Sequence, residues 1–187
     1  MVVVIKMVFT HKELKEAFKS DYQIKKAITD GKIHKIERGI YSTTKSAHSL
    51  EIIPKKYPSA IFTMDSAFYF HGLTDVIPDK MYLAVVRTAS RRISNRNIAM
   101  VFVSEKYHEI GKTQIVFDGI SIFIYDKERM LVELVRYKRR LPYDYYKEII
   151  NSYRKRIVEL DVSKIEDYAM AFDAEEYIFR TIQEEVF

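Results

Sequence analysis

The sequence contains no cysteine. Disulfide scaffolds, thiol nucleophiles and cysteine-ligated zinc are therefore excluded. Glycine is scarce, with five in 187 residues, which leaves little material for a phosphate-cradling Gly-rich loop, and no such motif occurs. No His-Glu-x-x-His or comparable ligand spacing occurs, and the histidines at 11, 34, 48, 71 and 108 are scattered. No catalytic constellation, metal site or cofactor motif is expected from these residues. Long apolar runs are also missing. The opening MVVVIKMVF is broken by Lys6 and falls far short of the ~20 residues of a membrane span. It reads as a buried first element, and no small-residue cleavage site follows it. Together with the lack of cysteine, this sets the expectation of a reducing cytoplasm and no membrane.

Apolar residues make up 48% of the chain and aromatics 13%, enough for a packed core and against wholesale disorder. The length allows one large or two small domains. The formal charge of +5 is informative once located. Residues 1–49 hold ten Lys/Arg against five Asp/Glu, and the other 138 residues hold 21 of each sign. A positive surplus confined to the N-terminal quarter points to a polyanion-binding module joined to a neutral one.

Thr10 and Glu13 in FTHKELKEAFKS have capping-box spacing, and Phe9 with Leu14 has the spacing of a hydrophobic staple. Leu14, Ala17 and Phe18 make an apolar stripe, so a helix is predicted over His11–Lys19. In SDYQIKKAITDG, Ser20 with Gln23 forms a second candidate box, with Asp21 as the competing cap. Ile24, Ala27 and Ile28 form the buried stripe, and Gly31 is placed to end the helix in the left-handed conformation. Two short helices separated by a residue or two have helix-turn-helix spacing.

The stretch GKIHKIERGIYS, residues 31–42, follows. KIHKI and IYST read as strands joined through ERG, with Arg38 near the tip. Ile33 and Ile36 differ in parity, which implies a bulge or twist. An ordinary surface hairpin and a DNA-gripping wing both fit this stretch alone. With two helices before it and the local charge surplus, the wing is the stronger reading. Tyr22, Gln23 and Lys26 would then face base edges, while Ser20, Lys25, Lys32, Lys35 and Arg38 would meet phosphates.

Prolines bracket PKKYPSA, residues 54–60, the expected entry to a second domain. The predicted division is a winged helix-turn-helix domain over 1–50 and an α+β domain over 54–187. In the latter, AIFT and KMYLAVV read as strands around a helix that Thr63 caps and Gly72 ends, carrying Met64, Ala67, Phe68 and His71 on one side. His71 reads as a hydrogen-bonded core residue, with Asp65 and Asp75 at helix ends. IAMVFVS is another strand. Asp118-Gly119 marks a hairpin in TQIVFDGISIFIYD. Helices follow from Asp126, one of them opening at Pro142. Strands followed by helices argue for α+β rather than a doubly wound sheet. Arg87, Arg91, Arg92 and Arg96, and the run RYKRR from Arg136 to Arg140, read as solvated faces. Asp118, Asp126, Glu128 and Lys127 could alternatively form a metal-dependent hydrolase cluster, which would make the chain a nuclease or nucleic-acid-modifying enzyme with a DNA-targeting arm. The turn and cap roles of the two aspartates count against that. A protein-interaction module with an incidentally basic N-terminus is a third reading.

Several stretches taken in order resemble a known family. GKIHKIERGIY (Arg38, Gly39, Tyr41), YPSAIFTMDSAFYFHGLTD (Ser66, Ala67, His71, Gly72, Leu73, Thr74) and IYDKERMLVEL (Asp126, Glu128, Arg129, Leu131) resemble landmarks of the AbiEi-type antitoxins of AbiE abortive-infection systems, across about residues 8–185. The resemblance implies an N-terminal winged helix-turn-helix that represses its own promoter. It also implies a C-terminal antitoxin domain opposing a nucleotidyltransferase-like toxin without a stable complex. It implies no enzymatic activity. Met130 and Glu133 stand where the family often has Thr and Asp, so no polar role is carried over at those two positions. The toxin's own Gly-Ser and Asp-rich nucleotidyl-transfer motifs are absent from the sequence.

Overall fold

Thr10 begins the first helix as its spacing requires: its hydroxyl accepts from Glu13 N at 3.2 Å while Thr10 N donates to Glu13 Oε2 at 2.7 Å, so two otherwise orphaned donors are satisfied. The computed structural model in which this is seen describes residues 7–88, 95–172 and 175–187. The predicted element at 1–6 and the arginines at 91 and 92 lie outside the described residues. The chain is a mixed α+β protein with two sheets, divided into compact units Met1–Ala60 and Ile61–Phe187.

In the first unit, β1 (Val8–Thr10) leads into α1 (His11–Phe18) and α2 (Asp21–Thr29). Lys19, expected inside α1, instead closes it in the left-handed region, at φ 59. Ser20, not Asp21, caps α2, accepting from Gln23 N at 3.2 Å. Gly31, at φ 70, lets Lys32 N donate to Ala27 O and Gly31 N to Ile28 O, the two bonds of a Schellman closure. β2 (His34–Glu37) and β3 (Ile40–Ser42) form the hairpin, with the register shifting between Lys35 and Glu37 where the isoleucine parity implied a bulge. The sheet order is β1-β3-β2. Leu14, Ile24, Ala27, Ile33 and Tyr41 make the core between helices and sheet. A third helix, α3 (Ser49–Lys56), packs on β1 and β3 with Leu50 and Ile53 buried. The expected break at 50–54 therefore moves to Ala60/Ile61, because this apolar face belongs to the first unit; Pro54 sits inside the helix.

The second unit is built on a five-stranded sheet of order β6-β5-β4-β8-β7. Its strands are β4 (Ile61–Phe62), β5 (Met81–Val86), β6 (Ile98–Val103), β7 (Lys112–Phe117) and β8 (Ile120–Tyr125). β5 runs parallel to β6 and β4 parallel to β8, while β4–β5 and β7–β8 are antiparallel. Asp118 and Gly119 both take positive φ, 48 and 77, the geometry of a tight two-residue hairpin turn. Helix α4 (Met64–Phe70) follows β4, α5 (Glu105–His108) follows β6, and α6 (Lys127–Tyr137), α7 (Tyr143–Lys155), α8 (Val162–Ala171) and α9 (Glu175–Glu185) complete the unit. Thr63 occupies the cap position of α4 without a capping bond; its hydroxyl points instead to Met130 Sδ, 3.8 Å away. Pro142 precedes α7 as its cap residue. α6 is the hub, packing on α4, α8 and α9. Residues 128–135 of α6 are all buried, so its apolar surface is not the single stripe of Leu131, Leu134 and Val135.

Candidate nucleic-acid interface

The helix period divides α2 into two sides. Ile24 and Ala27 face the core, whereas Tyr22, Gln23, Lys25 and Lys26 are exposed, Tyr22 at 74%. Tyr22, Lys25, Lys26 and Thr29 follow one another at i, i+3, i+4 and i+7, one continuous outer stripe. Ser20, at the entry to this helix, is half-buried, and its oxygen is engaged as the cap. Its hydroxyl proton remains available to donate.

The hairpin's orientation follows from its register. Lys35 pairs with Tyr41, and Tyr41 pairs with Phe9, so the three side chains stand on one face of the sheet. Tyr41 and Phe9 belong to the core beneath α1 and α2. Lys35, exposed on the edge strand, therefore emerges on the side of the sheet that carries α2. Arg38 is exposed at the hairpin turn beside Gly39, whose φ of 80 supplies the left-handed residue. Lys32 is exposed directly after the closure of α2. The proposed base-facing and phosphate-facing residues thus lie on α2, its two ends and the adjoining hairpin.

Three lysines of the unit are held by carboxylates, whereas Lys12, Lys19 and Lys45, exposed elsewhere in it, share with the α2 and hairpin cations the lack of such a partner among the described residues. Lys15 pairs with Asp21 at 3.4 Å and Lys56 with Glu37 at 2.8 Å, and Lys55 bonds to Glu13. Burial alone would raise the Glu13 carboxyl, but the bonds from Lys55 and Thr10 outweigh it and hold the group below its ordinary value. Likewise burial alone would lower the Lys56 ammonium, but Glu37 and Tyr57 together outweigh it and raise the group. Lys25, Lys26, Lys32, Lys35 and Arg38 have no carboxylate partner among the described residues. Asp21 and Glu37 are engaged by Lys15 and Lys56, so against these five cations α2 and the hairpin present only Asp30, exposed at the C-cap of α2, as an unpaired carboxylate among the described residues. An outer stripe of this kind matches a polyanion chemically.

The remaining sequence candidates are dispersed. Asp118 sits in the hairpin turn at the far end of β8 from Asp126, roughly 20 Å along a six-residue strand. Asp126 caps α6, accepting from Arg129 N at 2.8 Å and from the Tyr168 hydroxyl at 2.9 Å. Burial raises its carboxyl above the ordinary value. Glu128 accepts from Asp161 N at 3.0 Å, and Lys127 bonds to Glu159. The hydrolase cluster is therefore not assembled, and among the described residues no three acidic or histidine side chains are grouped to hold a metal. His71 Nε2 lies 2.7 Å from Tyr125 O, where its N–H donates. Burial lowers the ring's pKa. Gly72, at φ 64, closes α4 with a second Schellman pair, Leu73 N to Phe68 O and Gly72 N to Tyr69 O. The Thr74 hydroxyl donates to Glu148 at 2.6 Å. The resemblance motif around His71 is thus built into packing.

The sequence reading missed a buried ladder on α6. Arg129, fully buried, gives Nε and Nη2 to Glu133 Oε1 at 3.1 and 2.7 Å, and Arg136 gives Nη1 to Glu133 Oε2 at 2.8 Å. Glu133 therefore has a polar role after all. The available signal was charge at i, i+4 and i+7 inside an otherwise apolar helix. Of the RYKRR run, Lys138 bonds to Glu185, and Arg139 and Arg140 are exposed. Among the described residues no helix is long and apolar enough to cross a membrane. No protein-family model matches this chain, and no curated protein is significantly similar to it.

Proposed function

We propose that this protein is a DNA-binding antitoxin and transcriptional autorepressor of the AbiEi type, acting in the cytoplasm without enzymatic activity. Its first unit would be a winged helix-turn-helix: α2 enters the major groove, Tyr22, Gln23 and Lys26 meet base edges, and Ser20, Lys25, Lys32, Lys35 and Arg38 take phosphates. The second unit would oppose a nucleotidyltransferase-like toxin encoded beside it, with no stable complex required. The observation that carries the DNA reading is the set of five exposed, unpaired cations on α2 and its adjoining hairpin. Their neutralisation by phosphates would release counterions and make binding salt-dependent.

The test is a gel shift of the full chain on the DNA upstream of its own gene. Lys35→Glu together with Arg38→Glu is expected to weaken binding by at least about tenfold at ~100 mM salt and to flatten the salt slope by about two. Unchanged binding by that variant removes the hairpin from the interface. The antitoxin role is tested by co-expression: cells carrying the neighbouring nucleotidyltransferase should grow only when this chain is also made, and death in both conditions refutes it.

A further inference from the structure

The second unit contains a cavity of about 240 Å³ between one face of the sheet and α6. Aromatic rings, two arginines and two hydroxyls converge on it. Tyr107, Tyr125 and Phe172 supply ring surface, and Val101 and Val103 of β6 supply apolar wall. Arg129 is sandwiched behind it, its guanidinium 4.6 Å from the centre of the Tyr125 ring and 4.4 Å from that of Phe172. Its Nη1 donates to the carbonyls of Tyr107 and Ile110, both at 3.1 Å.

The charge balance of this cavity is positive. Arg87, Arg136 and Glu133 line it. Glu133 already accepts from Arg129 twice and from Arg136 once, so two guanidinium groups hold the carboxylate and Arg87 adds a further cation to the lining. Arg136 rests 4.0 Å over the Phe172 ring and spends only Nη1 on Glu133. Arg87, exposed at the end of β5, has no carboxylate partner among the described residues. One lining hydroxyl is uncommitted, that of Ser104, which stands at the cap of α5 without making a capping bond, while Thr63 gives its hydroxyl to the Met130 sulfur. Met64, a further lining residue, holds φ at 45, a conformation that costs a β-carbon-bearing residue about 1–3 kcal/mol.

The geometry points to a binding site for a small aromatic oxyanion, a phosphate or carboxylate carried on a single planar ring. The anionic group would lie on Arg87 and Arg136 with the Ser104 hydroxyl beside it, and the ring would pack on Tyr107 and the Val101 and Val103 side chains. Planar guanidinium forks suit a two-oxygen anion, and one already stacked on a ring has little conformational freedom left to lose. The volume lies just below the ~300 Å³ at which drug-sized pockets begin; it admits one ring with its charged group and excludes a dinucleotide. This site is independent of the DNA reading of the first unit.

Isothermal titration of the full chain tests it, with phenyl phosphate and benzoate as probes, phenol as the neutral control and inorganic phosphate as the ringless one. Saturable one-to-one binding of at least one aromatic anion is expected, and whichever binds identifies phosphate or carboxylate. Arg87→Gln should weaken it at least about tenfold. Arg136→Lys, which keeps a cation for Glu133, should also weaken it because the fork is lost. Lys35→Glu with Arg38→Glu should leave it unchanged, which separates this site from the basic surface of the first unit. The proposal is overturned if neither aromatic anion saturates by about 10 mM, if Arg87→Gln binds as tightly as the unaltered chain, or if phenol or inorganic phosphate binds equally well.

Discussion

In the first unit, Lys25, Lys26, Lys32, Lys35 and Arg38 stand in solvent with no carboxylate beside them among the described residues. In the second, Arg129, Arg136 and Lys138 each hold one. The units differ in balance as well: residues 1–60 carry twelve Lys/Arg against six Asp/Glu, and residues 61–187 carry nineteen against twenty. Among the described residues eight lysines and arginines of the second unit hold carboxylates, whereas three of the first do. Net charge locates a polyanion surface only after internal pairing has been subtracted. By that measure α2 and the hairpin keep their potential, and half of the RYKRR run, Arg136 and Lys138, does not.

The largest effect is expected when a cation committed to a buried carboxylate is removed. Arg129→Met leaves the Glu133 carboxylate buried with only Arg136 to answer it. A loss of about 3–5 kcal/mol in urea unfolding is expected; a loss below about 1 kcal/mol would show that the ladder is not structural. Gly111 tests the same packing from the opposite side. Its φ is 72, and an added β-carbon would lie 2.5 Å from Arg129 Cβ, so Gly111→Ala should cost clearly more than Gly31→Ala. At Gly31, φ is 70 but nothing lies within 4 Å, leaving only the left-handed penalty of about 1–2 kcal/mol. Equal costs at the two glycines would mean that Arg129 shifts freely.

The exposed cations should behave in the reverse manner. Lys35→Glu with Arg38→Glu should change unfolding by no more than about 0.5 kcal/mol while weakening promoter binding as stated above. A large stability loss would mean that these side chains are structural too. The smallest effect is expected at His71. Burial depresses the pKa of its ring below 6.5, so the unfolded chain binds the proton more readily. The stabilising contribution is fully present above pH 6.5 and is lost as pH falls through the depressed folded value. Melting temperatures from pH 7 to pH 5 should fall less steeply in His71→Gln than in the unaltered chain.

Local chemistry was legible in the sequence. Thr10 with Glu13, Gly31, the bulge near Ile36 and Asp118-Gly119 depend on neighbours within a few residues, and each forms as its spacing requires. The outward side of α2 was legible for the same reason, since a helix wheel needs only one stripe of apolar residues. The position of Lys35 required the Lys35–Tyr41 register, which no local pattern fixes. Pairings between distant segments were not legible. The parallel β5–β6 ladder and the packing of α3 onto β1 and β3 depend on partners far along the chain. Thr63 failed as a cap because the Met130 sulfur, 67 residues away, receives its hydroxyl. Arg129 was hidden because a buried guanidinium needs carbonyls from Tyr107 and Ile110 that precede it by some twenty residues.

One short element governs how the second unit can come into being. β4 has only two residues, yet it sits at the middle of the five-stranded sheet, between β5 and β8. Its two flanks are completed by strands that begin about twenty and sixty residues later. Such long-range closure slows folding, so during synthesis the middle of this sheet waits, half-edged and open to wrong partners, until Tyr125 has left the ribosome. The same placement makes Ile61 the latest residue at which a fragment of the second unit can start without losing its keystone strand.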